Sequence, residues 1–307
     1  MTAEGDLVEF GVNILNFGAG TSAEVVERWV RLAEDGPFGF AMFSDHVALT
    51  RDVVEQYPGP FWDPLSAIAW AAGSTERIRL GTTVLIPPYR HPLLTARMLA
   101  NIDQLSHGRL IVGVGVGWAR QEYAALGADF AARGAVTDEH LRALITLWSS
   151  DHARFDGEHF TIPEVDTRPR PRQQPHPPIW VGGTSAGALR RTVRYGQAWH
   201  PLRFPAGWLR RDGLPLLRKA ADAEGMPLPA LAPRILLAFS DERLPDEHRA
   251  CGQGHPDQVK ADLAELAELG VTEVLLDTHL EGEPATLADH EHHWRTLEKF
   301  VSLGFTE

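Results

Sequence analysis

Short polar segments end several predicted strands, and they contain the residue types that acid–base chemistry needs. Ser44-Asp45-His46 ends one strand, Trp199-His200 a second and Asp277-Thr278-His279 a third. A histidine titrates near neutral pH and can give or take a proton when a neighbouring group orients it. Asp45 and His46 are therefore candidate catalytic residues. The alternative is that Asp45 caps the chain and His46 packs in the rim of the site.

A second candidate site is the sequence GGTS at 182–185, between a predicted strand and a predicted helix. Gly182 and Gly183 permit close approach of a ligand to the backbone, and Thr184 and Ser185 add hydroxyl donors. The start of a helix offers unpaired N–H groups and partial positive charge to a phosphate. The alternative is a tight turn in which Thr184 or Ser185 is the N-cap.

The stretch GRLIVGVGVGWARQEYAALG, residues 108–127, contains three alternating glycines after a run of branched apolar residues. A dinucleotide-binding turn has the pattern G-x-G-x-x-G. Counted from the first or the second of these glycines, the last position is Trp118 or Arg120, so the pattern fails. Glu122, which starts a helical turn, either caps that turn or contacts a ligand, and capping is the simpler interpretation.

Composition excludes several classes of function. The 307 residues carry a net charge of −12, which argues against nucleic-acid and membrane-surface partners. The sequence shows neither a signal peptide nor an apolar run long enough to span a membrane, so we expect a cytoplasmic protein. A single cysteine, Cys251, excludes an internal disulfide and a cysteine-based zinc site. The first strand lacks the His-x-His of zinc hydrolases, so no metal is predicted.

The dominant pattern along the chain is an alternation of strands and helices. Eight strand–helix units are predicted, and strands joined by helices are expected to be parallel. This predicts an α/β fold, a (β/α)₈ TIM barrel, rather than an open doubly wound sheet. The longest interruption, about 119–176, follows the fourth strand and contains a predicted hairpin at Asp156-Gly157. Residues 1–307 are expected to form one domain.

Several motifs together resemble a known family. They are FSDH, TERIRLGT, GRLIVGVGVGW and HPPIWVGG, and they occur in this order along nearly the whole chain. The combination resembles the bacterial luciferase-like family of flavin- and deazaflavin-dependent oxidoreductases, and within it the branch that uses coenzyme F420. The resemblance implies a barrel, often dimeric, that binds an isoalloxazine-type ring in its mouth.

The resemblance also implies which residues hold the cofactor. A cis peptide at the end of the third strand supports the ring in this family, and the matching residues are Thr83 and Val84. The pair Asp45 and His46 is placed near the reactive edge of the ring. The phosphate site corresponds to segments after the fourth and fifth strands, which comprise Val116, Gly117, Trp118, Gly182, Gly183, Thr184 and Ser185.

The sequence departs from the family at two points. Sugar-phosphate dehydrogenases of the family carry a glutamate where this chain has Trp118, which puts their substrate in doubt here. The deazaflavin also has an acidic tail, and this chain is acidic. Arg51, Arg90 and Arg203 are candidates to bind that tail.

Three functions remain open from the sequence. The first is an F420-dependent oxidoreductase that moves a hydride to or from a small organic substrate, with His46 as acid or base. The second is an FMN-dependent monooxygenase that receives reduced flavin from a separate reductase and uses O₂. The third is a flavin-binding protein without turnover. The resemblance implies a homodimer in each case.

Overall fold

The computed structural model describes residues 8–280 and 286–306. Its strands are β1 (Glu9–Ile14), β2 (Phe40–Phe43), β3 (Arg79–Thr82), β4 (Leu110–Val114), β5 (His152–Asp156), β6 (Thr161–Asp166), β7 (Ile179–Gly182), β8 (Ala198–His200), β9 (Ala230–Leu231), β10 (Arg234–Leu236), β11 (Ala238–Phe239), β12 (Gln253–Gly254) and β13 (Glu273–Asp277). Its α-helices are α1 (Ala23–Asp35), α2 (Arg51–Val54), α3 (Pro64–Ser74), α4 (Pro92–Leu105), α5 (Arg120–Ala125), α6 (Arg133–Ser149), α7 (Ala186–Tyr195), α8 (Leu214–Glu224), α9 (Pro256–Glu268) and α10 (Leu287–Ser302).

The main sheet has nine strands in the order β10-β13-β1-β2-β3-β4-β7-β8-β9, and all the pairs are parallel. Its two outer strands, β9 and β10, are neighbours along the chain, separated by Ala232 and Pro233. The Arg234 N–H donates to the Pro201 carbonyl at 2.9 Å, just beyond β8. The sheet is therefore curled, and the predicted α/β class with parallel strands is confirmed.

The helix starts follow the expected capping chemistry. The Ser22 side chain accepts a hydrogen bond from the Val25 N–H at the start of α1, and Asp63 accepts one from Ser66 at the start of α3. Such side chains satisfy N–H groups that the helix itself leaves unpaired. The helix α3 includes Gly73 and ends at Ser74.

Two other regions test the predicted elements. The Asp156-Gly157 hairpin is confirmed, since β5 and β6 are antiparallel and the Gly157 N–H donates to Phe160 at 2.9 Å. The segment 234–240 forms two strands, β10 and β11, and β11 pairs with β12 instead of the main sheet. This pairing brings Gly252, which directly precedes β12, close to the backbone at the end of β10. A Cβ on Gly252 would lie 2.5 Å from the Leu236 carbonyl oxygen.

A buried ionic cluster joins three neighbouring strands. The Asp277 carboxylate, at the end of β13, accepts hydrogen bonds from Asn13 of β1 at 2.9 Å and from Arg234 of β10 at 2.8 Å. Arg203, from the segment after β8, adds a third donor at 2.8 Å. Burial alone would raise the pKa of Asp277, but the two guanidinium groups outweigh it and hold that pKa well below its ordinary value. The carboxylate is thus charged and fully enclosed.

Replacing Asp277 with Asn should destabilise the fold by about 3–5 kcal/mol, because two arginines would keep their charge without a buried counterion. Urea unfolding measures the change. Asp212→Asn is the matched control, since the Arg211–Asp212 pair lies on the surface and should contribute less than about 1 kcal/mol. The advantage of the wild type should shrink as the pH falls below the unfolded-state pKa of about 3.9, because the unfolded chain then binds a proton at Asp277 while the native carboxylate, with its lowered pKa, stays charged. Equal losses in the two variants would contradict the role of the cluster.

Gly113 of β4 has no room for a side chain. A Cβ there would lie 1.8 Å from the Thr82 carbonyl oxygen of β3. Gly113→Ala should therefore cost at least about 1–3 kcal/mol of unfolding free energy, as overpacking does. Gly73→Ala is the control, because a Cβ at Gly73 meets nothing within 4 Å and alanine favours a helix. The midpoints of urea unfolding are compared for Gly113→Ala and Gly73→Ala. If Gly113→Ala is as stable as the wild type, β3 and β4 can move apart to accommodate the methyl group.

Candidate functional site

A cavity of about 650 Å³ opens at the carboxyl ends of the parallel strands. This volume lies within the usual range for cofactor and ligand pockets. All eleven predicted site residues line it, namely Asp45, His46, Thr83, Val84, Val116, Gly117, Trp118, Gly182, Gly183, Thr184 and Ser185. The carboxyl ends of parallel strands meet at one edge of a sheet, which explains why residues up to 140 positions apart come together.

His46 is held by a buried carboxylate. Its Nδ1 lies 2.7 Å from Glu122 Oε2, and the Glu122 side chain is fully buried. The same carboxylate accepts hydrogen bonds from the backbone N–H groups of Val47 and Ala48, at 2.6 and 3.0 Å, and from the Tyr89 hydroxyl at 2.9 Å. Since Nδ1 faces Glu122, Nε2 is the His46 nitrogen left for a ligand in the cavity.

The expectation that Glu122 caps its own helical turn was wrong. Burial would raise the pKa of the Glu122 carboxyl, but hydrogen bonds from His46, Val47 and Tyr89 outweigh burial and keep the pKa below its ordinary value. Glu122 is thus a buried anion that fixes His46 and the segment after β2. The sequence carried no local signal for this contact, because 76 positions separate the two residues.

Asp45 has a different partner from its neighbour. Its carboxylate binds the Arg90 guanidinium through two hydrogen bonds, at 2.6 and 2.8 Å, and accepts the Ile86 N–H at 2.9 Å. The group beside His46 is therefore Glu122, and Asp45 joins the ends of β2 and β3. Arg90 also binds Asp63 at 2.9 Å, so its guanidinium is shared between two carboxylates of the protein.

The other two arginines suggested for an acidic cofactor tail are also engaged. Arg51 begins the short helix α2 and pairs with Glu55 on the surface. Arg203 does line the cavity, but its guanidinium binds Asp277 and the His279 carbonyl.

Thr83 and Val84 form one wall of the cavity, and the peptide bond between them is cis, as the resemblance implies. The Val84 side chain lies between two glycines: a Cβ on Gly115 would come within 2.4 Å of it, and one on Gly182 within 3.2 Å. Gly115 is thus needed for contact with Val84.

Two buried side chains fix Thr83 from behind. Arg234 donates to the Thr83 carbonyl at 3.0 Å, and the Thr83 hydroxyl lies 2.9 Å from His200 Nε2. His200 Nδ1 contacts the Ala232 carbonyl, which can only accept, so Nδ1 carries the hydrogen and Nε2 accepts from Thr83. Burial lowers the pKa of His200 to about 4, so the ring is neutral near pH 7. His200 is a supporting group of the wall.

The turn from β7 into α7 forms another part of the cavity. Gly183 has a φ of +98°, a conformation that favours glycine, and its carbonyl accepts the Trp199 indole N–H at 2.9 Å. The Ser185 side chain is the N-cap of α7 and accepts from Ala188. The capping alternative is therefore confirmed for Ser185. The first N–H groups of α7 and the exposed side chain of Thr184 remain available at the cavity.

Trp118 follows the positive-φ residue Gly117 and lies against the His46 ring, with 5.7 Å between ring centroids. His279, the third histidine predicted at the mouth, is buried against Phe17 instead, and burial lowers its pKa to about 4. In the described part of the chain, no group of three or more His, Cys, Asp or Glu side chains is arranged to hold a metal ion.

No helix within residues 8–280 and 286–306 combines the length and the apolar composition needed to cross a lipid bilayer.

Comparison with solved structures supports this fold. The chain superimposes on the monooxygenase RslO1 of Streptomyces bottropensis with a TM-score of 0.75, covering 96% of this chain and 98% of that one at 24% identity.

Sequence comparison gives several relatives. The chain is 33% identical to the uncharacterized protein Rv0953c of Mycobacterium tuberculosis, over 69% of this chain and 68% of the relative. It is 31% identical to an F420-dependent glucose-6-phosphate dehydrogenase of Kineococcus radiotolerans, over 63% and 57%. It is also 31% identical to the oxygenase component of a flavin-dependent trigonelline monooxygenase of Acinetobacter baylyi, over 54% and 44%.

A match to a family profile covers most of the chain. Residues 8–243 match the profile of the luciferase-like monooxygenases. The match includes β1 through β11, and with them every predicted residue that lines the cavity. The chain belongs to the luciferase-like monooxygenase family, which includes both F420-dependent and flavin-dependent enzymes.

Proposed function

We propose that this protein is an oxidoreductase that uses the deazaflavin coenzyme F420 to transfer a hydride to or from a small organic substrate. The observation that carries the proposal is His46, whose Nδ1 is bound to the buried Glu122 at the wall of the cavity. Reduction of a carbonyl by hydride also requires a proton for the oxygen, and oxidation of an alcohol requires its removal. A histidine oriented by a carboxylate is suited to both transfers.

The cavity fits a flavin-type cofactor in two respects. Val84 fills the space between Gly115 and Gly182, and its side chain offers an apolar surface on which a planar ring can lie. The first N–H groups of α7, with Gly183, Thr184 and Ser185, offer donors and partial positive charge to a phosphate. Val116, Gly117 and Trp118 extend the site after β4. The reduced deazaflavin, when bound, supplies the hydride.

The residues of the chain divide the remaining tasks. His46 gives a proton to the substrate oxygen, or takes it in the reverse reaction, through Nε2. Glu122 keeps His46 in the tautomer with hydrogen on Nδ1, and the hydroxyl of Tyr89 fixes Glu122 in turn. We assign Asp45 a positioning role, since both its oxygens bind Arg90.

The second candidate is an FMN-dependent monooxygenase that receives reduced flavin from a separate reductase. It is favoured by the trigonelline monooxygenase among the relatives, which is 31% identical over 54% of this chain. The same phosphate site and the same apolar wall would serve FMN. In this case His46 would assist oxygen chemistry instead of hydride transfer.

We also infer the larger organisation of the protein. The two outer strands of the curled sheet share the segment 230–236, which favours an eight-stranded closed barrel in a single domain, with the region 119–176 as an insertion after β4. Trp70 of α3 and Leu94 of α4 are about half exposed, which favours a homodimer through these helices. A cytoplasmic location is part of this proposal.

Fluorescence titration with oxidised F420 and with FMN tests the proposed cofactor. We expect F420 to bind more tightly. Preference for FMN would transfer the proposal to the monooxygenase, and binding of neither would favour a protein without this chemistry. Ser185→Ala should weaken binding about tenfold or more, because a hydroxyl that contacts a charged phosphate is lost.

Ser22→Ala is the matched control for this variant. Ser22 is also an N-cap whose side chain accepts from the third residue on, but it stands at the start of α1, outside the residues lining the cavity. Both variants should lose about 0.5–2 kcal/mol of stability, and only Ser185→Ala should lose affinity for the cofactor. If Ser185→Ala and Ser22→Ala bind the cofactor equally tightly, the phosphate binds at another place.

His46→Gln should lower turnover about 10²- to 10⁴-fold while cofactor affinity changes little, because only proton transfer is removed. The rate of oxidation of reduced F420 by the best acceptor from a panel of ketones and aldehydes measures turnover. His152→Gln, a change of an exposed histidine on β5, is the control. Unchanged turnover in His46→Gln would remove His46 from the mechanism.

A further inference from the structure

Aromatic rings surround the candidate acid–base residue on the cavity side. The centroid of the His46 ring lies 5.4 Å from Tyr57, 5.3 Å from Phe61 and 5.7 Å from Trp118. Trp118 remains 40% exposed although it lies beside the buried His46. Large aromatic side chains that stay partly exposed in a concave site commonly form binding surfaces. Tyr57 and Trp118 also line the cavity, so a substrate that reaches His46 must pass over these two rings.

The entrance to this part of the cavity is also apolar. Val47 is 47% exposed on the segment that joins His46 to Tyr57, and both of those residues line the cavity. Leu202 lines the cavity as well and is 39% exposed. Isolated exposed apolar residues are ordinary, but here Leu202 lines the cavity and Val47 directly follows the lining residue His46. The border favours entry of a molecule with apolar faces.

The charged groups of the cavity have partners already. Among the residues that the structure describes, the Asp, Glu, His, Lys and Arg side chains lining it are Asp45, His46, Arg203 and Arg234. Asp45 binds Arg90, His46 binds Glu122, and both arginines bind Asp277. Arg203 and Arg234 share the one Asp277 carboxylate, so that cluster keeps one net positive charge, whereas the ion pairs beside His46 have no excess positive charge. A carboxylate or phosphate on the substrate would lose its hydration near His46 without gaining a cation there, and that loss is unfavourable.

The donors suited to an anion lie in another part of the cavity. They are the N–H groups at the start of α7, which follows β7, whereas His46 follows β2. Two strands, β3 and β4, separate β2 from β7 in the sheet. The phosphate of the cofactor and the reacting group of the substrate therefore have separate surroundings, the first polar and the second aromatic.

We propose that the substrate is a neutral molecule with a flat aromatic or cyclic apolar face and a single carbonyl or hydroxyl at the reacting carbon. The proposal rests on the proposed function, because it assumes that the ring of the cofactor lies against Val84. The apolar face packs against the surface formed by Tyr57 and Trp118, whose ring centroids lie 6.4 Å apart, and the oxygen faces Nε2 of His46. The same surroundings exclude a phosphosugar as the substrate, because a phosphosugar is charged and has no flat apolar face.

The test compares acetophenone with 4-acetylbenzoate, which differ by one carboxylate. Ligand-detected NMR measures both dissociation constants on protein saturated with oxidised F420 or FMN, whichever binds. We expect acetophenone to bind at least about tenfold more tightly than 4-acetylbenzoate, because the added charge finds no free cation. Glucose 6-phosphate should not compete with acetophenone.

Trp118 provides the matched variants. Trp118→Ala should weaken acetophenone binding about two- to tenfold through loss of the aromatic contact, and Trp118→Phe should keep most of it. Leu216→Ala, a change of a similarly exposed apolar residue on α8 that does not line the cavity, should leave acetophenone binding unchanged. An unchanged affinity in Trp118→Ala would contradict the aromatic surface.

Equal binding of the two probes, tighter binding of 4-acetylbenzoate, or no measurable binding of acetophenone would each overturn the inference. The cofactor titration on the same samples separates this result from a failure of the proposed function. A protein that binds F420 or FMN and prefers 4-acetylbenzoate keeps its proposed cofactor chemistry and loses the proposed substrate class.

Discussion

The enclosed charge of Asp277 is the constraint on which the site depends. A carboxylate with no access to water is stable only with buried partners, and Arg234 and Arg203 are those partners here. Arg234 in turn donates to the Thr83 carbonyl, so the cluster that joins β1, β10 and β13 also fixes the wall of the cavity. The stability of the strand ends and the shape of the site therefore have one origin.

Two buried carboxylates organise the opposite part of the cavity. Asp45 and His46 are adjacent in sequence, but Asp45 binds Arg90 near β3, whereas His46 binds Glu122 of α5. The first contact holds the backbone in place, and the second orients a group that can exchange protons. Because Asp45 and His46 have separate partners, they do not compete for the same hydrogen bonds. One short segment can therefore fix the backbone through Asp45 and orient a proton-exchanging group through His46.

Much of the fold and of the cavity could be predicted from the sequence, because those features depend on local patterns. Caps such as Ser22 and Asp63 act within one helical turn, and alternating strands and helices imply parallel strands whose carboxyl ends meet. The partner of His46 could not be predicted, because it depends on how the segment after β4 turns back towards β2. The spatial role of Gly115 was missed for the same reason, since the side chain that it accommodates belongs to another strand.

The hydrogen bonds from Val47 and Ala48 to Glu122 have a consequence for the evolution of this family member. The segment after β2 carries the apolar border of the mouth, and its backbone is attached to the same carboxylate that orients His46. In the proposed mechanism, substrate choice and proton transfer therefore depend on the same contacts. A loop exchanged into this position from a relative would bring a new border, and it would also have to supply two N–H groups at the correct places for Glu122 to remain a buried anion.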